Sequence, residues 1–499
     1  MLNLLKNIEM KYIKYKLIAV ALMLGLTFTS CNEWLEMEPI NETYGGVFWE
    51  SESAANQTLA GAYALLRTAM LTGNRFLTWG ELNGSTVRFK TATNQEKFDT
   101  TSFPNSSAGE MQWENFYKVI AQCNLILHET EKLDEDLFTE GLKGKQSYLG
   151  QTYFLRAFTY FYMVKIWGDV PLVLDPVLTV TDVITEDGYV KNVGQNPEAE
   201  VLDQCIIDLK IAEEYLDYGT FGDLEWAVQG NKGSVQALMA HVYLWKGDAL
   251  ESEVAADKVI NEAGYSLVNY ADSLAVVNMF IGRSTEGIFE LNIDYDQTES
   301  YAVNGMAHRT VYHPYIYNKA EAGSTLNIQK AYMDPLYEDT DLRLDRFFAF
   351  WDTDRPITLK YASVIYEDEA TFQTPHGICN ISLMRLSDIV LLRAEALAKL
   401  ERYSEARVLL NTIRLRAEAS PYEGPDTDLK HEIFLERTRE LISEGHTMFD
   451  RIRNDEWDDL SWMTDARKEG KGYYWPVASS YIIDNPLLVQ NPFWSTITY

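Results

Sequence analysis

Residues 383–420 read LMRLSDIVLLRAEALAKLERYSEARVLLNTIRLRAEAS, and after a short Pro/Gly loop residues 433–450 read IFLERTRELISEGHTMFD. Leu383, Leu386, Val390, Ala394 and Leu397 recur every three or four residues, which places them on one face of a helix. A second stripe runs through Ala406, Leu409, Leu410, Ile413 and Ala417. Ser404 stands where it would cap this second helix, with Glu405 in the positive first turn. Few residues separate the stripes, so the two helices are expected to fold back as an antiparallel pair. Ala394, Leu397, Tyr403, Ala406 and Leu410 follow the spacing of a tetratricopeptide unit. One such unit cannot cover its own apolar face, so the rest of the chain has to supply neighbours.

Those neighbours are legible towards the N-terminus. Ala55, Leu59, Ala62, Leu66 and Ala69 share a helical face in 51–70, after Ser51 and Ser53 as candidate caps. Residues 110–130 place Trp113, Phe116, Ile120 and Leu127 inward, and 146–167 are apolar almost all round, as in a helix buried on most sides. Asn196 is expected to cap a further helix with Pro197 at its first position and Leu202, Cys205, Leu209, Ala212 and Leu216 as its stripe. GNKGSVQALMAHVYLWKGD and VAADKVINEAGYSL form another pair. Between these lies GNRFLTWGELNGSTVRFKTATN (73–94), read as a long loop or hairpin. Residues 265–382, rich in Tyr, Gly, Asp and Thr with short runs such as GIFELNI, interrupt the helical pattern. Loops of that length in a compact protein are usually functional. The expected fold is mostly α. A tetratricopeptide-like solenoid of about four helical pairs occupies 51–263 and 383–450, and an irregular, loop-rich layer carrying short strands lies mainly in 73–105 and 265–382.

The chain has 499 residues and a net charge of −31, from 74 acidic and 43 basic residues. So acidic a surface repels phosphate backbones and argues against nucleic acid as a partner. Residues 1–30 run the other way. Lys6, Lys11, Lys14 and Lys16 precede fourteen uncharged residues, LIAVALMLGLTFTS. That is short of the about 20 residues needed to span a bilayer, and reads as an export signal outside the fold. Of the four cysteines, Cys123 and Cys205 fall on apolar stripes and are expected to be buried; no CxxC or Cys/His spacing suggests zinc.

Several stretches resemble the SusD/RagB family of outer-membrane nutrient-binding lipoproteins. They are RLSDIVLLRAEAL, ARVLLNTIRLRAEA, ERTRELISEGHTMFDRIR, FLRAFTYFYMVKIWGDVPL and the closing GYYWPVASSYIIDNPLLVQNP, which is similar to the family's Pro-containing strand, NP turn and final QNP. His446 stands where an Arg is common in the family. Thr29-Ser30-Cys31 resembles a lipoprotein processing site, implying cleavage before Cys31 and its acylation; NEWLEMEP after it resembles the start of mature relatives. The resemblance implies a single SusD-like domain over 31–499, anchored by lipid in the outer membrane and facing the exterior. It implies no enzymatic step, a glycan ligand, and a SusC-like TonB-dependent channel as partner. Some relatives take peptides instead.

No GxSxG, HExxH, P-loop or GxGxxG before a helix is present. Asp294, Asp296 and Thr298 alternate like part of a calcium loop but lack its glycine and terminal glutamate. No cofactor is expected, a structural calcium there being the one candidate metal. His308 and His313 are read as structural or exposed. Sugar rings offer apolar C–H faces to aromatic side chains and hydroxyls to polar ones. Candidate ligand contacts are therefore the loop residues Trp79, Arg88, Tyr295, Tyr301, Tyr312, Tyr315 and Trp351, with Tyr317 in the same tyrosine group. Trp113, Trp167 and Trp245 lie on helix stripes and are assigned to the core. A surface glycoside hydrolase and a purely scaffolding solenoid are the alternative classes.

Overall fold

Four apolar stripes become four antiparallel helix pairs. The computed structural model describes residues 48–89, 98–101, 109–187, 190–294 and 305–497, and residues 51–499 make one unit. The pairs are α1 (Glu52–Leu71) with α2 (Glu114–Lys132), α3 (Leu142–Trp167) with α4 (Glu198–Tyr215), α5 (Lys232–Lys246) with α6 (Ala249–Glu262), and α7 (Leu386–Lys399) with α8 (Tyr403–Arg416). Each pair packs on the next, α2 on α3, α4 on α5 and α6 on α7. The mostly α, tetratricopeptide-like solenoid is thus observed. α3 is buried on nearly every side from Leu149 to Trp167, Tyr153 and Lys165 being half-buried. Its Arg156 bonds both oxygens of Asp208 at 2.8 Å and Asn124 at 2.9 Å, tying α2, α3 and α4 together. Cys123 and Cys205 are buried free thiols.

Local capping differs from the sequence reading. Asn196 does not cap α4; its Oδ1 accepts from the Leu172 amide at 3.1 Å, and Pro197 occupies the cap position. α8 starts at Tyr403, so Ser404 lies inside it, and Leu383 belongs to a strand that precedes α7. Asn231 and Ser234 form a reciprocal capping box at α5 that periodicity alone does not reveal. Residues 472–478 form no strand; a short helix, Ser479–Asp484, follows them.

The loop-rich layer carries four two-stranded antiparallel ribbons. β1 (Val87–Phe89) pairs with β3 (Leu326–Ile328), and β2 (Gly287–Leu291) with β8 (Ile381–Arg385). β4 (Phe348–Ala349) pairs with β5 (Ile357–Thr358), and β6 (Val364–Asp368) with β7 (Gln373–Gly377). Residues 73–105 are less irregular than expected, since Arg75–Gly80 is a buried helical turn. Among the described residues no helix is long and apolar enough to cross a membrane.

Solenoid and layer meet at α9 (Leu429–Leu441) and α10 (Thr447–Asn454), where charge is buried in bulk. Glu436, Arg437, Arg439 and Glu440 on α9 are all buried, together with Arg343, Lys360, Arg385, Asp388, Glu395, Glu444, Asp450 and Arg451. Each charge has partners: Arg343 to Asp341, Glu436 and Glu440; Arg437 to Asp388 and Asp450; Arg453 to Glu395 and Asp450. Burial alone would raise the Glu436 and Glu395 carboxyls, but the guanidinium groups around them outweigh it and hold both at about 2. His446 is also pushed down, to about 4, here by burial, which outweighs the pull of Asp388 and Asp450.

The signs add. A depressed carboxylate stabilises the fold above its ordinary value of 4.5 and loses that contribution as pH falls towards 2. A depressed His takes up its proton in the unfolded chain first, between 6.5 and 4, and so also favours unfolding as pH falls. The melting temperature should therefore drop from pH 6.5 downward and more steeply below 4.5. His446→Gln should flatten only the segment between 6.5 and 4. Coincident wild-type and variant melting profiles across that interval would refute this assignment.

Candidate functional site

Residues 305–378 build an aromatic surface on the layer. The short helix Met306–Thr310 leads into a tight loop that Lys319 closes: its ammonium donates to the Val311 carbonyl at 2.7 Å and to that of His308, and its carbonyl accepts from the His313 amide at 3.1 Å. The loop's apolar side, Val311 and Ile316, packs with Ala307 and Ile357 into a small core of its own. Its tyrosines cover that core. Tyr312 stacks on Phe350 with centroids 5.1 Å apart and rings 9° from parallel, and Tyr315 meets the edge of Phe350 at 6.4 Å. Burial raises both phenols, which therefore stay protonated at neutral pH.

The second half of the surface comes from the β6–β7 hairpin. Tyr317 stacks on Phe372 at 4.6 Å, and Tyr366 meets the edge of Phe372 at 5.3 Å. The Tyr317 amide donates to the Tyr366 hydroxyl at 2.9 Å, which fixes loop and hairpin together. Asp368 shapes the turn between the strands, accepting from the Thr371 hydroxyl at 2.7 Å and the Ala370 amide at 2.9 Å; these bonds hold its carboxyl below the usual range. Phe350 and Phe372 have φ of +59° and +54°, an unfavourable region for bulky side chains that persists only where the surroundings over-determine it. Tyr317 and Phe372 remain 47% and 43% exposed, so this stacked pair presents ring faces and edges to solvent. Beneath Met306 and Ala307 a cavity of about 310 Å³ is lined by Leu71, Asn74, Tyr361, Gly377 and Cys379 among others.

Only part of the expected contact set gathers here. Tyr312, Tyr315 and Tyr317 do; Cys31, Tyr295, Tyr301, Asp296 and Thr298 lie outside the described residues. Trp351, next to Phe350 in the chain, packs on Phe348 at 4.6 Å and Tyr337 at 5.6 Å, its indole N–H donating to Asp334 at 3.0 Å. Arg88 is exposed on β1 and paired with Asp99 at 3.4 Å. Trp79 is a correction: it is 1% exposed, ringed by Phe116, Tyr162 and Trp167, with its N–H on the Glu110 carbonyl at 3.0 Å, and offers no face to a ligand. Its stretch folds inward because Gly80 and Glu81 dock on the turn before α10. Phe350, Tyr366 and Phe372 were missed. The alternation in VIYED and QTPHG around a polar turn is the signal for the hairpin that carries Tyr366 and Phe372; Phe350 comes from the β4–β5 hairpin. Among the described residues no His/Cys/Asp/Glu group is placed to hold a metal ion.

Known proteins share both halves of this architecture. Residues 33–244 match a family model described as starch-binding associating with outer membrane, and residues 353–494 match the SusD family model. The chain belongs to the SusD/RagB family. SusD-like protein P38 of Formosa agariphila is 26% identical over 96% of this chain and 99% of that protein, and SusD-like protein P25 of the same organism is 23% identical over 88% and 90%. In fold, a SusD superfamily protein from Bacteroides thetaiotaomicron superposes with a TM-score of 0.73 at 24% identity, covering 89% of this chain and 99% of that one. B. fragilis NanU gives 0.71 at 22%, covering 93% and 100%. In this SusD-like chain the ERTREL signature is a buried charge lattice, so its residues serve the fold rather than ligand contact.

Proposed function

We propose that this SusD-like protein captures glycan at the cell surface without cleaving it and delivers it to a TonB-dependent outer-membrane channel, held by a lipid on Cys31. The observation that carries this reading is the half-exposed Tyr317–Phe372 stack with Tyr366 at its edge, its loop and hairpin tied by the Tyr317 amide to the Tyr366 hydroxyl. Aromatic faces in that setting suit the C–H faces of sugar rings, whose hydroxyls then find partners at the polar rim. The description of the family model over residues 33–244 supports both the ligand class and the membrane. The overall acidity favours a neutral ligand over an anionic one.

Native electrophoresis through gels containing amylopectin, xylan, galactomannan or β-glucan tests it. The wild type should be retarded by at least one polysaccharide, and Tyr317→Ala/Phe372→Ala should migrate as in the blank gel, since each lost stacking contact costs about 0.5–1.5 kcal/mol beyond its buried area. Equal retardation of both proteins would remove the platform. Reducing ends released on incubation would place the protein among the glycoside hydrolases.

A further inference from the structure

The solenoid carries a polar groove far in sequence from the aromatic platform. Two adjoining cavities, of about 280 and 360 Å³, share Glu140, Ser147, Gln151, Glu225 and Gln229 as lining. Together they fall within the span of small-molecule sites, about 300–1,000 Å³. Ser147 and Gln151 are one turn apart on α3, on the face where this otherwise apolar helix turns polar. Gln151 is 9% exposed. A hydrogen-bond chain sets its orientation: the Gly230 amide donates to the Tyr63 hydroxyl at 2.7 Å, and that hydroxyl donates to Gln151 Oε1 at 3.0 Å. The amide nitrogen of Gln151 is thereby left facing the groove, with no acceptor among the described residues. The carboxamide of Gln229 is likewise unpartnered among the described residues. Neither amide nitrogen is sealed from solvent, so water meets these donors in the free protein and a ligand hydroxyl can take that water's place.

We propose that this groove is a second saccharide site, taking one or two neutral sugar residues. Hydroxyl groups both donate and accept, which matches carboxamide and Ser147 donors interleaved with the Glu140 and Glu225 acceptors. Both glutamates are exposed, so neither is a desolvated charge that calls for a cation. They also repel anionic ligands. The inference rests on the glycan-capture reading. It adds that a long chain engages the protein at two places, so that tethering through one raises the effective concentration at the other.

Calorimetric titration with maltohexaose, cellohexaose, xylohexaose and mannohexaose tests it, on the wild type, on Tyr317→Ala/Phe372→Ala, and on that variant carrying Gln229→Ala or Gln151→Leu. The platform variant should keep one weaker site for at least one hexaose, and either groove substitution should weaken that site roughly tenfold or more, the scale of one or two lost hydrogen bonds. Thermal melts establish that each variant folds. If the platform variant binds nothing while the wild type binds a hexaose at a single site, the groove is overturned and glycan capture stands. Residual binding indifferent to both groove substitutions overturns it equally. If no hexaose binds the wild type, the capture reading falls with it. Calcium titrating into the groove in place of sugar would replace the proposal.

Discussion

Replacing Arg385 with leucine should remove roughly 3–5 kcal/mol of stability, the cost of leaving buried carboxylates without their counter-charge. Arg385 is 2% exposed at the junction of β8 and α7. It is bidentate to Glu444, through Nε to Oε2 at 2.8 Å and Nη2 to Oε1 at 2.9 Å. It also reaches Glu286 at 2.7 Å and Glu440 at 2.8 Å. Burial raises the Glu286, Glu440 and Glu444 carboxyls, and Arg385 is among the cations that overcome it and keep all three ionised. Lys360 and Arg416 share part of the load, through Glu444 and through Glu286 and Glu440. They cannot replace the bidentate geometry. The urea midpoint of Arg385→Leu should fall sharply with little change in slope. Arg355→Leu, which breaks the exposed pair with Glu321, should hardly move it. Similar midpoints for the two variants would mean that the buried lattice contributes no more than a surface pair.

Gly80→Ala should be nearly as severe, roughly 1–3 kcal/mol or more, because the added methyl has no space to enter. A Cβ at Gly80 would lie 1.9 Å from the carbonyl oxygen of Gly445 and 2.9 Å from the Phe449 ring. Those neighbours are backbone and a packed ring, so neither rotates away. The contact is held shut from the next residue. Glu81, fully buried, accepts from the Ser443 amide at 2.9 Å, the Gly445 amide at 3.2 Å, and the hydroxyls of Thr86 and Thr447 at 2.7 and 3.1 Å. Gly445 in turn has φ of +82°, a conformation that glycine adopts without strain. Separating the two chains to admit a methyl would strip this carboxylate of its donors. Gly61→Ala serves as control, since a Cβ there meets nothing within 4 Å, and glycine inside a helix gains from the change. Melting temperatures that fall for Gly80→Ala and hold or rise for Gly61→Ala are the expected pattern. Parallel shifts would contradict the packing argument.

Both sites show where the sequence was legible and where it was not. Leu386, Val390, Ala394 and Leu397 mark one face of α7 at a fixed spacing, and they are buried in the structure as that spacing requires. Stripes of this kind gave α1, α2, α4, α7 and α8 to within a few residues, and all-round apolarity gave α3. Trp79 was misplaced because its surroundings, Gly, Asn and Thr, look like a loop. What buries it is Phe116 of α2 with Tyr162 and Trp167 of α3, while a turn more than three hundred residues away closes on the neighbouring Gly80 and Glu81. α9 carries as many charges as a solvated helix, and nothing in its own composition tells that Arg343, Arg385 and Arg416 arrive from three other elements to neutralise it. The tyrosines of 312–317 were seen as raw material. Their partners Phe350, Tyr366 and Phe372 come from separate hairpins.

By itself the sequence determined the helical class, the repeat of paired helices, the acidity that disfavours polyanions, and the irregular layer between the third and fourth pairs. Those properties are written at short range, in the period of apolar side chains and in summed charge. Which aromatic rings face solvent, which carboxylates lose water, and how Gln151 is aimed were decided only by tertiary structure. Each depends on what a distant segment brings within a few ångströms, and desolvation and pairing have no signature in the residues that undergo them.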